Sequence, residues 1–342
     1  METTMNSSNP STKVTPTLWA LLFISLLLYP TILTAQERIR FVTYNVENLF
    51  DCRDDSLTSD EAFLPNSLRR WSAYRYWDKL HSVSSAIATI GGDRAPDLVV
   101  LCEVENDSVL YDLTKRSPLR TVRYKYLITS SLDPRGIDVA LLYKPTTFRP
   151  FAYRSLRLPQ SYIPENSHVR DILCVSGILA MGDTIDILAC HLPSKLNGRK
   201  ASRLRSNVVK HMQQAIDSII TIRTVPRIIV MGDFNDTANS EALLPLTKSG
   251  QLICITDTLS GSYRYKGNWQ QIDHIYLSPI LLDTTQTLHL SSRAAWISDD
   301  SSLIEPEPIY GGYRPHRTYN GMRYEGGTSD HLPVCFDLNF VW

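Results

Sequence analysis

Residues Arg227 to Asp236 read RIIVMGDFND. Ile228, Ile229, Val230 and Met231 make a continuous apolar run rich in β-branched residues, the mark of a strand. The run predicts a strand over Arg227–Met231. Gly232 follows, and the absence of a side chain there lets backbone or ligand approach closely. The chain then delivers a carboxylate, Asp233, and an amide, Asn235. A rigid strand that hands over to a loop fixes such groups in space, which is where chemistry is usually mounted.

The same plan recurs on either side. FVTYNVENLFD (Phe41–Asp51) ends in Asn45 and Glu47, and PDLVVLCEVEN (Pro96–Asn106) ends in Glu103 and Glu105. RGIDVALLY opens with Arg135 and Asp138, LACHLPSK carries His191 and Lys195, QQIDHIYLS places Asp273 within a strand, and GGTSDHLPV presents Asp330 and His331 before one. Strands are predicted at Ile39–Tyr44, Leu98–Cys102, Asp138–Tyr143, Ile172–Leu179, Thr184–Cys190, Arg227–Met231, Gln271–Leu277 and Pro333–Phe340. Helices are predicted over Trp71–Ile90, where Leu80, Val83, Ile87 and Ile90 recur at three or four, and over Ala201–Ile222, where Val208, Met212, Ala215 and Ile219 do the same. The result is an α/β or α+β architecture in one domain, 36–342, without internal repeats. Ser298–Thr328, rich in Pro, Gly, Tyr and Arg, reads as a long surface loop.

Composition narrows the function classes. Lysine plus arginine and aspartate plus glutamate both number 35, so no global field gathers nucleic acid or anionic membrane, and any polyanion must be held by local patches. Lys13 precedes the apolar run Leu18 to Leu28, with small residues at Thr34 and Ala35. That pattern predicts an export signal over 1–35, cleaved near Ala35, the alternative being an uncleaved anchor over Val14–Ala35. Signal removal would leave an exported protein, periplasmic or extracellular, with no stable membrane insertion and a monomeric state expected. The six cysteines show no zinc-type spacing, and four sit in apolar strand-like runs, so they read as core residues.

Carboxylates and amides at strand ends suit a hard cation, Mg²⁺ or else Mn²⁺ or Ca²⁺, rather than zinc. A histidine gains basicity and a fixed tautomer from a neighbouring carboxylate, and Asp273 with His331 form the candidate pair. Taken singly, each acid is more often a turn or a cap. Their joint occurrence in strand-end positions is what points to a reaction centre.

The ordered set, from about Phe41 to Phe340, resembles the endonuclease/exonuclease/phosphatase superfamily. The family's N-terminal asparagine matches Asn45, its metal-binding glutamate Glu103, its GD-x-N motif Asp233 and Asn235, its strand aspartate Asp273, and its S-D-H motif Ser329, Asp330 and His331. A second family histidine corresponds to His191, with Asp138 as its carboxylate partner by spacing, and Glu47 matches the acid beside the first asparagine. The resemblance implies a four-layer sandwich, two mainly antiparallel or mixed sheets packed face to face with helices outside. It also implies a metal-dependent hydrolase of phosphate esters. Asn45, Glu47, Glu103 and Asp330 would serve the metal, Asp233 the attacking water and Asn235 the phosphoryl group. His331, oriented by Asp273, and His191 would serve proton transfer and charge stabilisation. Arg135 and Lys195, close to these motifs, are the expected substrate contacts. Nuclease activity is the first expectation, on the basic clusters Arg116–Lys125 and Arg199–Arg205; a phosphatase or phospholipase C-like enzyme on a small ester or lipid headgroup is the alternative. A binding module that has lost catalysis is disfavoured because Glu103, Asp233, Asp273 and His331 are all intact.

Overall fold

β1 (Glu37–Leu49) runs parallel to β2 (Leu98–Val104), and the chain crosses from one to the other through a helix, Ala73–Ile90. β7 (Thr184–His191) runs parallel to β8 (Ile228–Asp233), joined through a second helix, Gly198–Ile222. These two βαβ units are the centres of two six-stranded sheets in the computed structural model, which describes residues 1–2, 37–90, 92, 94–165, 167–195 and 198–341. The export signal expected over 1–35 lies almost wholly outside the described residues. Glu37–Val341 forms one compact unit.

The first sheet has the order β13-β18-β1-β2-β4-β3, with β3 at Lys125–Ile128, β4 at Asp138–Tyr143, β13 at Leu288–Ile297 and β18 at Val334–Phe340. The second has the order β5-β6-β7-β8-β12-β9, with β5 at Phe148–Leu156, β6 at Ile172–Leu179, β9 at Ile253–Cys254 and β12 at Asp273–Leu277. All pairings other than the two parallel ones are antiparallel. Three small hairpins complete the strands: β10 (Tyr263–Tyr265) with β11 (Asn268–Gln270), β14 (Ile304–Pro306) with β15 (Tyr313–Pro315), and β16 (Tyr319–Asn320) with β17 (Arg323–Tyr324).

The alternation of side chains along each strand divides the core into three seams. Ile39, Phe41, Leu98, Val100 and Leu141 of the first sheet meet Leu173, Val175, Ile187, Ile229, Met231 and Ile275 of the second. Val42, Tyr44, Val99 and Leu101 face Leu80, Val83 and Ile87 of the first helix, while Leu188, Cys190, Val230 and Tyr276 face Leu204, Val208 and Met212 of the second. Each buried Leu, Ile or Val contributes about 1.5–3 kcal/mol. β2 and β8 open as apolar runs, LVVLC and IIVM, because both their faces are covered. This is a sandwich of two mixed sheets with helices outside, the fold class that the resemblance implies.

One expectation needs correction. Ser298–Thr328 is not structureless, since it contains β14 to β17 and buries Leu303, Thr318 and Tyr319. Lys79, fully buried on the first helix, donates to Thr318 Oγ1 and to the Thr328 carbonyl, so a long-range lysine pins this segment to the sandwich. The two βαβ units share one topology although the sequence carries no internal repeat.

Candidate active site

The parallel pairs place their C-terminal ends side by side. In the second sheet the register sets His191 beside Asp233 and Asp233 beside Asp273, one residue on each of three neighbouring strands. In the first, Asn45 stands beside Cys102, and the pairings of β1 with β2 and of β2 with β4 both slip at this end. The slip leaves Glu103 as a bulge residue with φ +66° and Glu47 and Asn48 with φ +48° and +54°. Non-glycine residues rarely adopt this region, at a cost of order 1–3 kcal/mol each, and bulges of this kind re-aim side chains. Here they turn Glu103 into a cleft of 720 Å³ lined also by Asn45, His191, Asp233, Asn235 and His331. Gly232 (φ +149°) allows the approach on the other side, because a Cβ there would lie 1.9 Å from the Cys190 carbonyl oxygen.

Asn45 is the hub of the floor. Its Nδ2 donates to Asp233 Oδ2 at 3.0 Å and to Glu103 Oε1 at 3.3 Å, which joins the two sheets through one amide. Asn48 N steadies the other Glu103 oxygen at 2.9 Å. Asn235, itself at φ +52°, donates its backbone N–H to Asp233 Oδ1 at 2.8 Å and its side chain to the Leu192 carbonyl and to Asp233. Burial, with Asp273 beside it, lifts the Asp233 carboxyl to about 7 against the pull of His331 and Asn45.

The two histidines are supported in opposite ways. His331 Nδ1 meets Asp273 Oδ2 at 2.7 Å, and that oxygen also accepts from Ser262 Oγ at 2.5 Å. Ser329 Oγ receives the His331 backbone N–H at 3.1 Å and donates to the Asn45 carbonyl, fixing the loop. Burial opposes a charge on His331, but Asp273, Asp233 and Asp330 outweigh it and hold the imidazole well above its usual pKa. His191 Nε2 lies 3.5 Å from Asp233 Oδ2 and 3.8 Å from Glu103 Oε1, and its Nδ1 is buried without a partner. Burial, reinforced by Arg170 and Arg135, pushes His191 well below its usual pKa. One imidazole is therefore charged at neutral pH and the other is not.

Asp138 does not pair with His191. Its Oδ1 is occupied by Thr129 Oγ1, Ser131 Oγ and Ser131 N at 2.5, 2.5 and 2.8 Å, so the carboxylate serves the turn before β4. Glu47 accepts from Thr318 N at 2.7 Å, and Asp330 accepts from Arg317 Nη2 at 2.6 Å. Both line the cleft, but each is held by the Ser298–Thr328 segment, whereas Asn45 and Glu103 face the floor. Burial, then Asp330, raises Glu47 to about 7. Arg135 and Lys195 line the cleft with side chains about half exposed, at 49% and 47%. Arg205 is buried on Asp236 at 2.8 Å and is unavailable to a substrate. Glu105 is turned away, accepting from Asp51 N at 2.6 Å.

Arg170 was not legible in the sequence. It is buried, pairs with Asp133 at 2.9 Å, and donates to the His191 and Leu192 carbonyls at 3.1 and 2.9 Å, clamping the backbone that carries His191. Ser262, the second support of Asp273, was equally silent. Both act across long sequence separations that no local pattern reports.

The donor set fits a hard divalent cation. Glu103 and Asp233 bring carboxylate oxygens together around the Asn45 amide and beside imidazole nitrogens, and Asp233, Asp273 and His331 place one ligand atom each within 4.8 Å of one another. Since Asp273 Oδ2 and His331 Nδ1 already share a proton, the Glu103 and Asn45 side of the floor is the better seat.

A family model described as the Endonuclease/Exonuclease/phosphatase family matches residues 40–339. Among solved structures, an endonuclease/exonuclease/phosphatase family protein from Bacteroides thetaiotaomicron is 16% identical with a TM-score of 0.57, covering 90% of this chain and 99% of that one. TDP2 from D. rerio, complexed with a single-strand DNA product, is 16% identical with a TM-score of 0.55, covering 89% and 99%. A mannosyl-6-phosphatase from Bacteroides thetaiotaomicron is 17% identical with a TM-score of 0.54, covering 88% and 99%. At these identities the structural likeness speaks for the fold. No curated protein matches the sequence. Among the described residues, no helix is long and apolar enough to cross a membrane.

Proposed function

The chain belongs to the endonuclease/exonuclease/phosphatase family, and from that premise we propose that it is an exported, monomeric, divalent-metal-dependent hydrolase of phosphodiester bonds, with nucleic acid as its first candidate substrate. The observation that carries the proposal is the convergence of Asn45, Glu103, Asp233 and the His331–Asp273 pair on one floor.

A phosphodiester is an anion that repels an attacking oxygen. Its hydrolysis needs its charge neutralised, a water placed in line and the departing alkoxide stabilised. Glu103 would hold Mg²⁺, or Mn²⁺ or Ca²⁺, with the Asn45 amide fixing its carboxylate, and the ion would supply Lewis acidity toward a non-bridging oxygen when bound. Asp233 orients the water and takes its proton, a role suited to a carboxyl poised near neutrality. Asn235 locks Asp233 and offers its amide to the phosphoryl group. His331, kept charged by Asp273, donates to a phosphate oxygen and is the proton source of the pair. His191, kept neutral by burial, acts as a hydrogen-bond donor to the growing charge. Two imidazoles with pKa values pushed apart divide the acid and neutral-donor roles between them.

The nuclease reading is supported by Arg69, Arg135, Lys195 and Arg317 around the cleft and by the DNA product bound to the similar TDP2 structure. A phosphatase acting on a small ester is the second reading, supported by the balanced net charge and by the likeness to a mannosyl-6-phosphatase. Turnover of single-stranded DNA, RNA, sphingomyelin, phosphoinositides and mannose 6-phosphate with Mg²⁺, Mn²⁺ or Ca²⁺, and its loss on adding EDTA, tests the proposal. Metal-independent turnover, or inertness toward every ester, would refute it. N-terminal sequencing of the exported protein tests cleavage near Ala35.

A further inference from the structure

Among the described residues five arginine and lysine side chains line the cleft, and four of them already meet a carboxylate of the protein. Arg135 and Arg170 meet Asp133 at 3.4 and 2.9 Å, Lys195 meets Asp236 at 3.3 Å, and Arg317 meets Asp330 at 2.6 Å. Arg69 differs. Among the described residues no carboxylate and no hydrogen-bond acceptor meets its guanidinium, and its Nε is buried without a partner. The guanidinium lies instead over two rings, 4.9 Å from the Phe63 centroid and 5.2 Å from that of Tyr319.

Those rings are themselves fixed. Phe63 stacks on Phe50 at 4.2 Å and meets the edge of Trp71, and Tyr319 donates its hydroxyl to the Arg69 carbonyl at 2.9 Å. Aromatic faces attract a cation without consuming its in-plane N–H donors. Arg69 is therefore held in place with an unused planar fork, and such a fork matches two oxygens of a phosphate. A buried Nε left unsatisfied in this way calls for an acceptor from outside.

We infer that Arg69 is the clamp for a second phosphate, so that the preferred substrate carries another phosphate on the same molecule as the scissile one. The inference rests on the phosphoesterase reading and narrows its substrate class. The shared chemistry has two sources, a neighbouring nucleotide of a nucleic-acid strand or the second phosphate of a small bisphosphate.

The test uses Arg69→Gln, which keeps the stacked stem and removes the charge, and Arg69→Lys, which keeps the charge and removes the fork. Calorimetric titration of the purified protein with inorganic tripolyphosphate in EDTA reads the clamp without turnover. Binding should weaken about tenfold in Arg69→Gln and severalfold in Arg69→Lys. Kinetics then compare thymidylyl-thymidine with and without a 5′-phosphate, and a sugar monophosphate with its bisphosphate. The wild type should favour the doubly phosphorylated member of one pair about tenfold in KM, and Arg69→Gln should erase that preference; which pair shows it identifies the source. Equal tripolyphosphate binding by wild type and Arg69→Gln, or a preference that survives the substitution, overturns the inference. If bis(4-nitrophenyl) phosphate and all esters stay intact, the hydrolase reading fails, while the tripolyphosphate titration still decides whether Arg69 clamps phosphate.

Discussion

β1–β2 and β7–β8 are parallel pairs of the same design, each crossed by a long helix and each carrying site residues at its C-terminal ends, yet the two halves prepare those residues by different physics. The first half distorts its backbone: Glu47, Asn48 and Glu103 take positive φ at the register slip, and the Glu103 side chain reaches the cleft with 15% of its surface exposed. The second half keeps a regular ladder and relies on burial, with His191 and Asp233 side chains at 3% and 1% exposure. Strain aims oxygen donors where a cation can reach them. Burial shifts proton affinities, raising Asp233 and lowering His191. A scaffold used twice thus supplies coordination from one wall and acid–base chemistry from the other.

Removing the key carboxylate from each half in turn tests that division. Asp233→Asn should lower kcat at least about 10³-fold, since the water loses its orienting base. Raising the metal concentration should not restore it. The fold should persist and the melting temperature should not fall, because an amide no longer faces the buried charge of Asp273. Glu103→Gln should cost about 10²-fold at low metal and recover in part at high Mg²⁺ or Mn²⁺, as a weakened ligand set does. Metal recovery of Asp233→Asn, or none for Glu103→Gln, would dissolve the contrast between the walls.

Gly232→Ala sharpens it from the side of stability. The new methyl would meet the Cys190 carbonyl at 1.9 Å from a backbone at φ +149°, and the obstacle is main chain that cannot swing away. A loss of roughly 3 kcal/mol or more in a urea titration is expected. Cys102→Ala, beside Glu103 on the distorted wall, should cost about 1–2 kcal/mol, the loss of one buried sulfur. Equal losses would mean that the regular ladder does not depend on the glycine.

What was legible in the sequence follows from how each element is buried. β4 and β6 coincide with the predicted Asp138–Tyr143 and Ile172–Leu179 because each is paired on both edges and is largely apolar, DVALLY and ILCVSGIL. β5 is not legible because Phe148–Leu156 is an edge strand whose residues are mostly exposed, and β13 because its ladder with β18 breaks between Leu290 and Ala295. The site residues were legible as polar types at the ends of apolar runs. Arg69, Arg170 and Ser262 were not, because an arginine over two rings or on a distant carbonyl has the same sequence appearance as a solvated one.

The smallest effect is expected at Asp138, and its smallness is informative. Had this carboxylate fixed the His191 ring, neutralising it would cost about 10²-fold or more, as loss of an orienting acid does. Its hydrogen bonds run instead to Thr129 and Ser131, and an asparagine oxygen can still accept them. Asp138→Asn should therefore keep kcat/KM within about threefold of wild type, by the weak response of sites outside the reacting geometry. Arg170→Gln should cost more, because its guanidinium holds the His191 and Leu192 carbonyls from a buried position. His331 is oriented through its side chain by Asp273, whereas His191 is oriented through its backbone by Arg170. If Asp138→Asn proved the more damaging of the two, the second histidine would share the support of the first, and the asymmetry between them would be lost.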